Sequence, residues 1–213
     1  MNSFRRFSPF IFTLIGLIFL CPSAHAETLK DMIGKLEVLP LHYGVNEIKV
    51  NNRDIIIVRG AVVTGTAGGH DTYIVLAKQE NPLVGKKPFW QFARFEGDKQ
   101  GILIETAPHT YEDSIVSIRF MVPKEGKDLK NVSDLYLFTA ARKFVVPLPT
   151  PSQPDFSLSV LNRQNDEMGT LFFHTLKKMS LKEKYCNADW PAYKILGVPL
   201  PGEEGTYSCR IRK

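Results

Sequence analysis

Ser114-Ile-Val-Ser-Ile-Arg-Phe-Met-Val122 is the stretch that decides the fold class. Its side chains alternate with a period of two. Val116, Ile118 and Phe120 fall on one side, with Ile115, Ser117, Arg119 and Met121 on the other. The first set reads as the side of a strand that faces a core.

Similar β-branched and aromatic runs, separated by turn residues, extend in both directions. Toward the N-terminus lie Gly101–Thr106, Phe89–Phe95, Thr72–Ala77, Asp54–Val58 and Glu47–Val50, the last two joined through Asn51-Asn52 as a tight turn. Ala61–Thr64 either continues Asp54–Val58 or pairs with it, and Thr28 to Leu36 reads as a short helical lead. Toward the C-terminus lie Asp134–Ala140, Phe144–Val146, Phe156–Leu161 and Thr170–Leu176, with Asn165 to Gly169 turning before the last. This pattern predicts a mainly β protein, an antiparallel β-sandwich-like single domain. Strand order stays open, because several sandwich and barrel topologies fit one run of strands.

Pro147 to Pro154 holds four prolines in eight residues, which reads as a crossing loop between sheets or a short linker. Beyond it the chain changes character. Ser180-Leu-Lys-Glu183 has the form of a capping box, Pro191 suits a first helical turn, and Gly197 suits a helix C-terminus. One or two short helices are expected between Cys186 and Pro199. The predicted organisation is a signal peptide (1–26), a β-rich core (27–179), and a helical, disulfide-pinned segment (180–213) packed on that core.

The export signal is read from the first 26 residues. Arg5 and Arg6 form a basic start, Phe10 to Leu20 an apolar run, and Ala24-His25-Ala26 a small-residue cleavage site after Pro22. The apolar run is too short to span a hydrocarbon core of ~30 Å. A lipid anchor on Cys21 would need a small residue before the cysteine, where Leu20 stands. The expected mature chain is Glu27–Lys213, periplasmic, with no transmembrane segment of its own.

Two of the 27 basic residues leave with the signal and all 22 acidic ones stay, so the mature net charge is +3. Basic and acidic residues alternate along the chain, without the basic stripe and interleaved aromatics of a nucleic-acid binder, and no nucleic-acid partner is expected. Cys186 and Cys209 remain after export, and an even pair in an oxidising compartment reads as a structural disulfide. Two metal-binding thiols would need further ligands nearby, and the sequence around them supplies none.

Catalytic motifs are missing: there is no Gly-x-Ser-x-Gly, Ser-x-x-Lys, His-Glu-x-x-His or His-x-His. Gly65-Thr-Ala-Gly-Gly-His70 lacks the lysine of a phosphate loop. No cofactor and no metal site are expected. Asn131-Val-Ser133 matches a glycosylation acceptor, a motif short enough to arise by chance. The strongest local constellation is the glycine-rich loop ending in His70, Asp71 and Thr72, whose polar groups would contact a ligand. Its plain alternative is a hairpin loop in which Asp71 bonds its own backbone.

Trp90 stands in Phe89-Trp-Gln-Phe-Ala-Arg-Phe95, with aromatics on both faces, as a core strand or one that offers an aromatic face to a partner. His42, His109 and His174 are scattered singly. Lys177, Lys178, Lys182 and Lys184 read as a solvated basic face, or as a contact for anionic lipid or envelope polymer.

Three segments together carry a resemblance. Leu41-His-Tyr-Gly-Val-Asn-Glu-Ile-Lys-Val-Asn-Asn-Arg-Asp54 precedes two apolar strands and Gly69-His-Asp-Thr72; later come Leu171-Phe-Phe-His-Thr-Leu-Lys177 and Lys184-Tyr-Cys-Asn-Ala-Asp-Trp190. With the signal peptide, this layout resembles the CarG-like periplasmic proteins associated with intrinsic carbapenem resistance. Asn51-Asn52-Arg53-Asp54 departs from that family's Asp- and Gly-rich turn. The resemblance implies a β-sandwich-like protein that protects against a β-lactam without hydrolysing it. It carries over no catalytic residue, only Cys186 and Cys209 as structural positions.

The expected function is therefore an exported, non-enzymatic binding or protective protein with a small-molecule partner. An envelope protein or cell-wall interaction module is the alternative. A hydrolase with a dispersed site that uses His70 and Asp71 is a third.

Overall fold

The structure is a computed structural model that describes residues 26–63, 69–80, 87–95, 101–106, 114–124, 131–145, 150–162 and 171–201. The expected signal's apolar run, Thr64–Gly68, His109, the turn expected at Asn165–Gly169 and Cys209 lie outside the described residues.

Helix α1 (Leu29–Gly34) opens the described chain, capped by Thr28 and Asp31, each bonding the other's backbone N–H. Strands β1 (Leu36–Val38), β2 (Gly44–Val50) and β3 (Arg53–Val62) follow. Asn51 and Asn52 both take positive φ, 49° and 63°, which marks the β2–β3 hairpin as the primed two-residue turn that suits strand twist. β3 runs on through Ala61, so that run continues the strand. β4 (His70–Glu80) returns beside it.

The aromatic stretch predicted as one strand is two. β5 (Pro88–Phe92) pairs with β4 in one sheet, and β6 (Arg94–Phe95) pairs in parallel with β12 in the other. The crossing is at buried Ala93. Its N–H bonds Val75, while the next N–H, from Arg94, bonds Leu171. A one-carbon side chain lets the backbone pass between the sheets there.

β7 (Leu103–Glu105), β8 (Val116–Pro123), β9 (Asn131–Val132), β10 (Tyr136–Arg142), β11 (Pro154–Leu161) and β12 (Phe172–Ser180) complete the strands. The first sheet runs β1-β8-β10-β11-β12-β6. The second runs β5-β4-β3-β2-β9, with β7 also on β4. The two face each other over one core. Ile118, Phe120, Leu137 and Phe173 of the first meet Ile55, Ile57, Tyr73 and Val75 of the second. The Tyr73 and Phe120 rings lie 5.5 Å apart across the gap. This is a mainly β single domain built as a sandwich, as the alternation predicts.

Three sequence expectations need correction. Phe144 is 61% exposed and residues 143–145 form no strand, because β10 already ends at buried Arg142. The proline-rich loop joins β10 to β11, neighbours in the same sheet, and so does not cross between sheets. Ser180 caps no helix: it closes β12, where its hydroxyl bonds Asp155 and the next N–H bonds Pro154.

Helix α2 (Asp189–Pro191) comes later, continuing as a π-helical turn (Ala192–Leu196) that ends at Gly197 with φ 77°. This segment and α1 cover the back of the first sheet, where Ala192, Leu196 and Ile33 pack on Met121, Phe138 and Phe156. Both faces of β8 are therefore buried. Among the described residues no helix is long and apolar enough to cross a membrane.

Candidate functional site

β1 covers the edge of β8 only over Met121–Pro123, with one further bond from the Leu39 N–H to Phe120. Pro40 has no N–H to continue the ladder, and the chain turns away through Leu41–Tyr43 into β2. Beside Val116–Ile118 this leaves a cavity of about 340 Å³, walled by Pro40, Leu41, Tyr43 and Leu200 and floored by two Arg–Asp pairs.

The first pair belongs to the second sheet. Arg59 on β3 stands opposite Tyr73 on β4, and Asp71, two residues from Tyr73, shares its face. Asp71 Oδ2 accepts from Arg59 Nη2 at 2.7 Å, Arg59 Nε at 3.2 Å and the Tyr73 hydroxyl at 3.3 Å. Its Oδ1 accepts from the Tyr43 hydroxyl at 2.8 Å. Arg59 Nη1 donates to the Leu41 carbonyl at 2.8 Å, and the guanidinium lies 4.3 Å from the Tyr43 ring centre.

Burial pushes the Tyr73 phenol up to about 12, with the two guanidiniums of Arg59 and Arg119 pulling the other way. Burial also raises Tyr43, helped by its bond to Asp71. For Arg59, burial is the largest single influence and lowers the pKa, but the hydrogen bond to Asp71 together with the charges of Tyr73, Asp71 and Tyr43 outweighs it, and the net shift is upward.

The second pair joins β8 to α2. Arg119 Nη2 donates to Asp189 Oδ1 at 2.9 Å and Nη1 to the Ile118 carbonyl at 2.8 Å. The Ser117 hydroxyl donates to Asp189 Oδ1 and that of Ser114 to Oδ2. The Ala188 N–H bonds the Ser114 carbonyl, which fixes the start of α2 against β8. Tyr73 bonds Asp71, lines the same cavity and feels both guanidiniums.

Of the residues expected to bind, only Asp71 lines this cavity. His70 and Thr72 flank it on β4 and point to the opposite face of the sheet. There the His70 Nε2 meets Glu105 at 3.5 Å, and Thr72 lies against Gly60. Trp90 is elsewhere, on a shallow groove of about 320 Å³ with Glu47, Lys49 and Asp54. His42 bonds Asn46 through its backbone N–H, and exposed His174 packs edge-on to Phe172. Lys178, Lys182 and Lys184 are exposed and Lys177 half-buried. Cys186 is buried; its expected partner lies outside the described residues.

Sequence reasoning missed Tyr43, Arg59, Tyr73, Arg119, Ser114, Ser117 and Asp189. The available signal was an arginine interrupting each of two apolar strands, Asp54–Val58-Arg59 and Ile118-Arg119-Phe120. A guanidinium drawn out of solvent among apolar strand residues demands a carboxylate from elsewhere. Among the described residues no group of three or more His, Cys, Asp or Glu is placed to hold a metal ion.

No family model matches the chain, and no curated protein matches it. Among solved structures, the crystal structure of CarG superposes with a TM-score of 0.50 at 14% identity, covering 81% of this chain and 99% of that one. The likeness is one of fold.

Proposed function

We propose that this chain is an exported, non-enzymatic binding or protective protein whose ligand site is the cavity between Arg59–Asp71 and Arg119–Asp189. The observation that carries the reading is the pairing of an open cavity with two partly buried ion pairs. Buried ion pairs are poor stabilisers, and apolar replacements of similar volume are often neutral or better. Two of them lining one hollow are more economically explained by what the hollow holds. Both carboxylates are anchored by several donors, and the Ser114 and Ser117 hydroxyls are committed to Asp189. Such groups hold a shape and do not poise a nucleophile.

The finer reading is periplasmic protection against carbapenem-type β-lactams without hydrolysis. The fold likeness to CarG and the sequence resemblance support it. It is tested by survival of a deletion strain, with and without the gene restored, across carbapenem concentrations while drug consumption is followed. Restored survival with intact drug is expected. Restored survival with the drug destroyed would overturn the non-enzymatic reading, and unchanged survival would remove the resistance role.

A second reading rests on the outer face of the second sheet. The first sheet has its back covered by helices; here Val45, Trp90, Phe92 and Leu103 stay 40–53% exposed in one patch with Ile56, Val58, Ile74 and Leu76. An envelope interaction module would use this face. Crosslinking in intact cells that yields one dominant partner, lost in Trp90→Ala, would favour it.

A further inference from the structure

A count of donors against acceptors in the cavity points to the chemistry of its ligand. Among the described residues, Asp71 accepts four hydrogen bonds, from Tyr43, Tyr73 and twice from Arg59. Asp189 accepts three, from Ser114, Ser117 and Arg119. Both carboxylates are close to saturated. Arg119 is different. A guanidinium has five N–H donors, and among the described residues Arg119 spends two of them, on Asp189 and on the Ile118 carbonyl. The side chain is only 14% exposed. It lines the cavity, and its unspent N–H groups have no partner among the described residues. Arg59, by contrast, has donated to Asp71 twice, to Leu41 and, at 3.5 Å, to Tyr43.

Among the four charged side chains, donors are in surplus and the carboxylate acceptors are already used. A cationic ligand would find both carboxylates engaged. A ligand with a planar or tetrahedral oxyanion would meet the N–H groups that Arg119 leaves unspent on its guanidinium fork, and charge-assisted bonds from arginine to carboxylate or phosphate are strong ones. The formal charges of Arg59, Arg119, Asp71 and Asp189 cancel, so selectivity here comes from donor placement and not from a net field. The wall of Pro40, Leu41 and Leu200 offers apolar contact beside the fork. We infer that the cavity takes a small molecule carrying an oxyanion next to an apolar body, with Arg119 as its anchor. The inference rests on the binding reading above and names the ligand class for that site.

The test uses the exported mature protein, labelled with ¹⁵N, titrated separately with benzoate, phenylphosphonate and benzamide. The readout is the backbone amides of Leu39, Leu41–Tyr43 and Ser114–Arg119. The two anions share the proposed chemistry, and their comparison separates carboxylate from phosphoryl sources. Saturable shifts are expected with at least one anion, at least tenfold tighter than with neutral benzamide. Arg119→Ala strands Asp189 and risks unfolding, so the comparison variant is Arg119→Gln with Asp189→Asn, which keeps a neutral hydrogen-bonded pair. It should weaken the anion at least tenfold. Equal affinity for benzamide and benzoate, or undiminished anion binding by the double variant, would overturn the inference. If the double variant does not fold, the benzoate–benzamide ratio on the unaltered protein decides. Binding of benzamide alone in the cavity would remove the oxyanion while leaving a binding site in place. No shift with any probe would also refute the inference, and the survival assay would then judge the broader reading separately.

Discussion

Arg119 Nη2 lies 2.9 Å from Asp189 Oδ1, an ion pair that ties β8 to the C-terminal segment across seventy residues. The side chains are 14% and 8% exposed, so the pair is out of reach of most solvent screening. Removing one partner leaves the other charge buried. Asp189→Ala should therefore cost about 3 kcal/mol, measured by urea unfolding at neutral pH. Asp189→Asn, which preserves the shape and some hydrogen bonds, should cost less. Arg119→Met with Asp189→Leu should recover most of the loss. A cost below about 1 kcal/mol for Asp189→Ala would mean that the pair behaves as a solvated surface bridge.

Tyr73 gives a pH prediction with a definite sign. Its phenol is raised from 10.0 to about 12 by burial, so the folded protein holds the proton where the unfolded chain has released it. The associated stability is fully present below pH ~10 and is lost as pH rises toward 12. The fall should be roughly 2–3 kcal/mol across that window. Tyr73→Phe should remove most of this alkaline step. Unfolding by urea at several pH values, with phenolate absorbance followed in parallel, checks both statements. An unchanged alkaline step in Tyr73→Phe would assign it to other groups.

At the β2–β3 turn, Asn52 sits at φ 63° with its Oδ1 accepting from Asn131 and its N–H donating to Asn131 Oδ1. Asn tolerates the left-handed region through its short polar side chain, which Ala lacks, so Asn52→Ala should cost roughly 1–2 kcal/mol. Asn52→Gly keeps the turn and the backbone bond, and should be within about 0.5 kcal/mol of the parent. Thermal unfolding of the two variants separates backbone strain from loss of the side-chain bond. Equal destabilisation by Ala and Gly would assign the effect to the lost bond.

The turn also shows why much of the fold was legible. Asn-Asn between two apolar runs states its φ requirement locally, and period-two alternation in Ser114–Val122 states which residues meet the core. Ala93 and Ser180 were misread for the opposite reason. Whether Arg94 continues a strand depends on Leu171, far along the chain, and whether Ser180 caps a helix depends on Asp155 across the ladder. The site was harder still. Asp71 was legible as a polar residue at a loop exit, yet its partners Tyr43, Arg59 and Tyr73 come together only through strand register. Asp189 reaches Arg119 only because α2 folds over the back of the first sheet. His70 looked like a companion of Asp71 because it is adjacent in sequence, and adjacency in a strand puts two side chains on opposite faces.

The expected Cys186–Cys209 disulfide yields the last prediction. Cys186 is 5% exposed and stands three residues before Asp189, next to Asn187, whose Oδ1 accepts from the Trp190 N–H at the start of α2. A crosslink here closes a short loop and should stabilise by about 3 kcal/mol. The mature protein, denatured without reductant, should show no thiol that reacts with iodoacetamide. Reduction should lower the unfolding midpoint and weaken binding of any oxyanion probe, because loosening the segment around Cys186 releases Asp189 from Arg119. Cys186→Ala with Cys209→Ala should reproduce both effects. Two reactive thiols in the untreated mature protein would sink the disulfide. A lowered midpoint with unchanged probe affinity would keep the crosslink but detach it from the cavity.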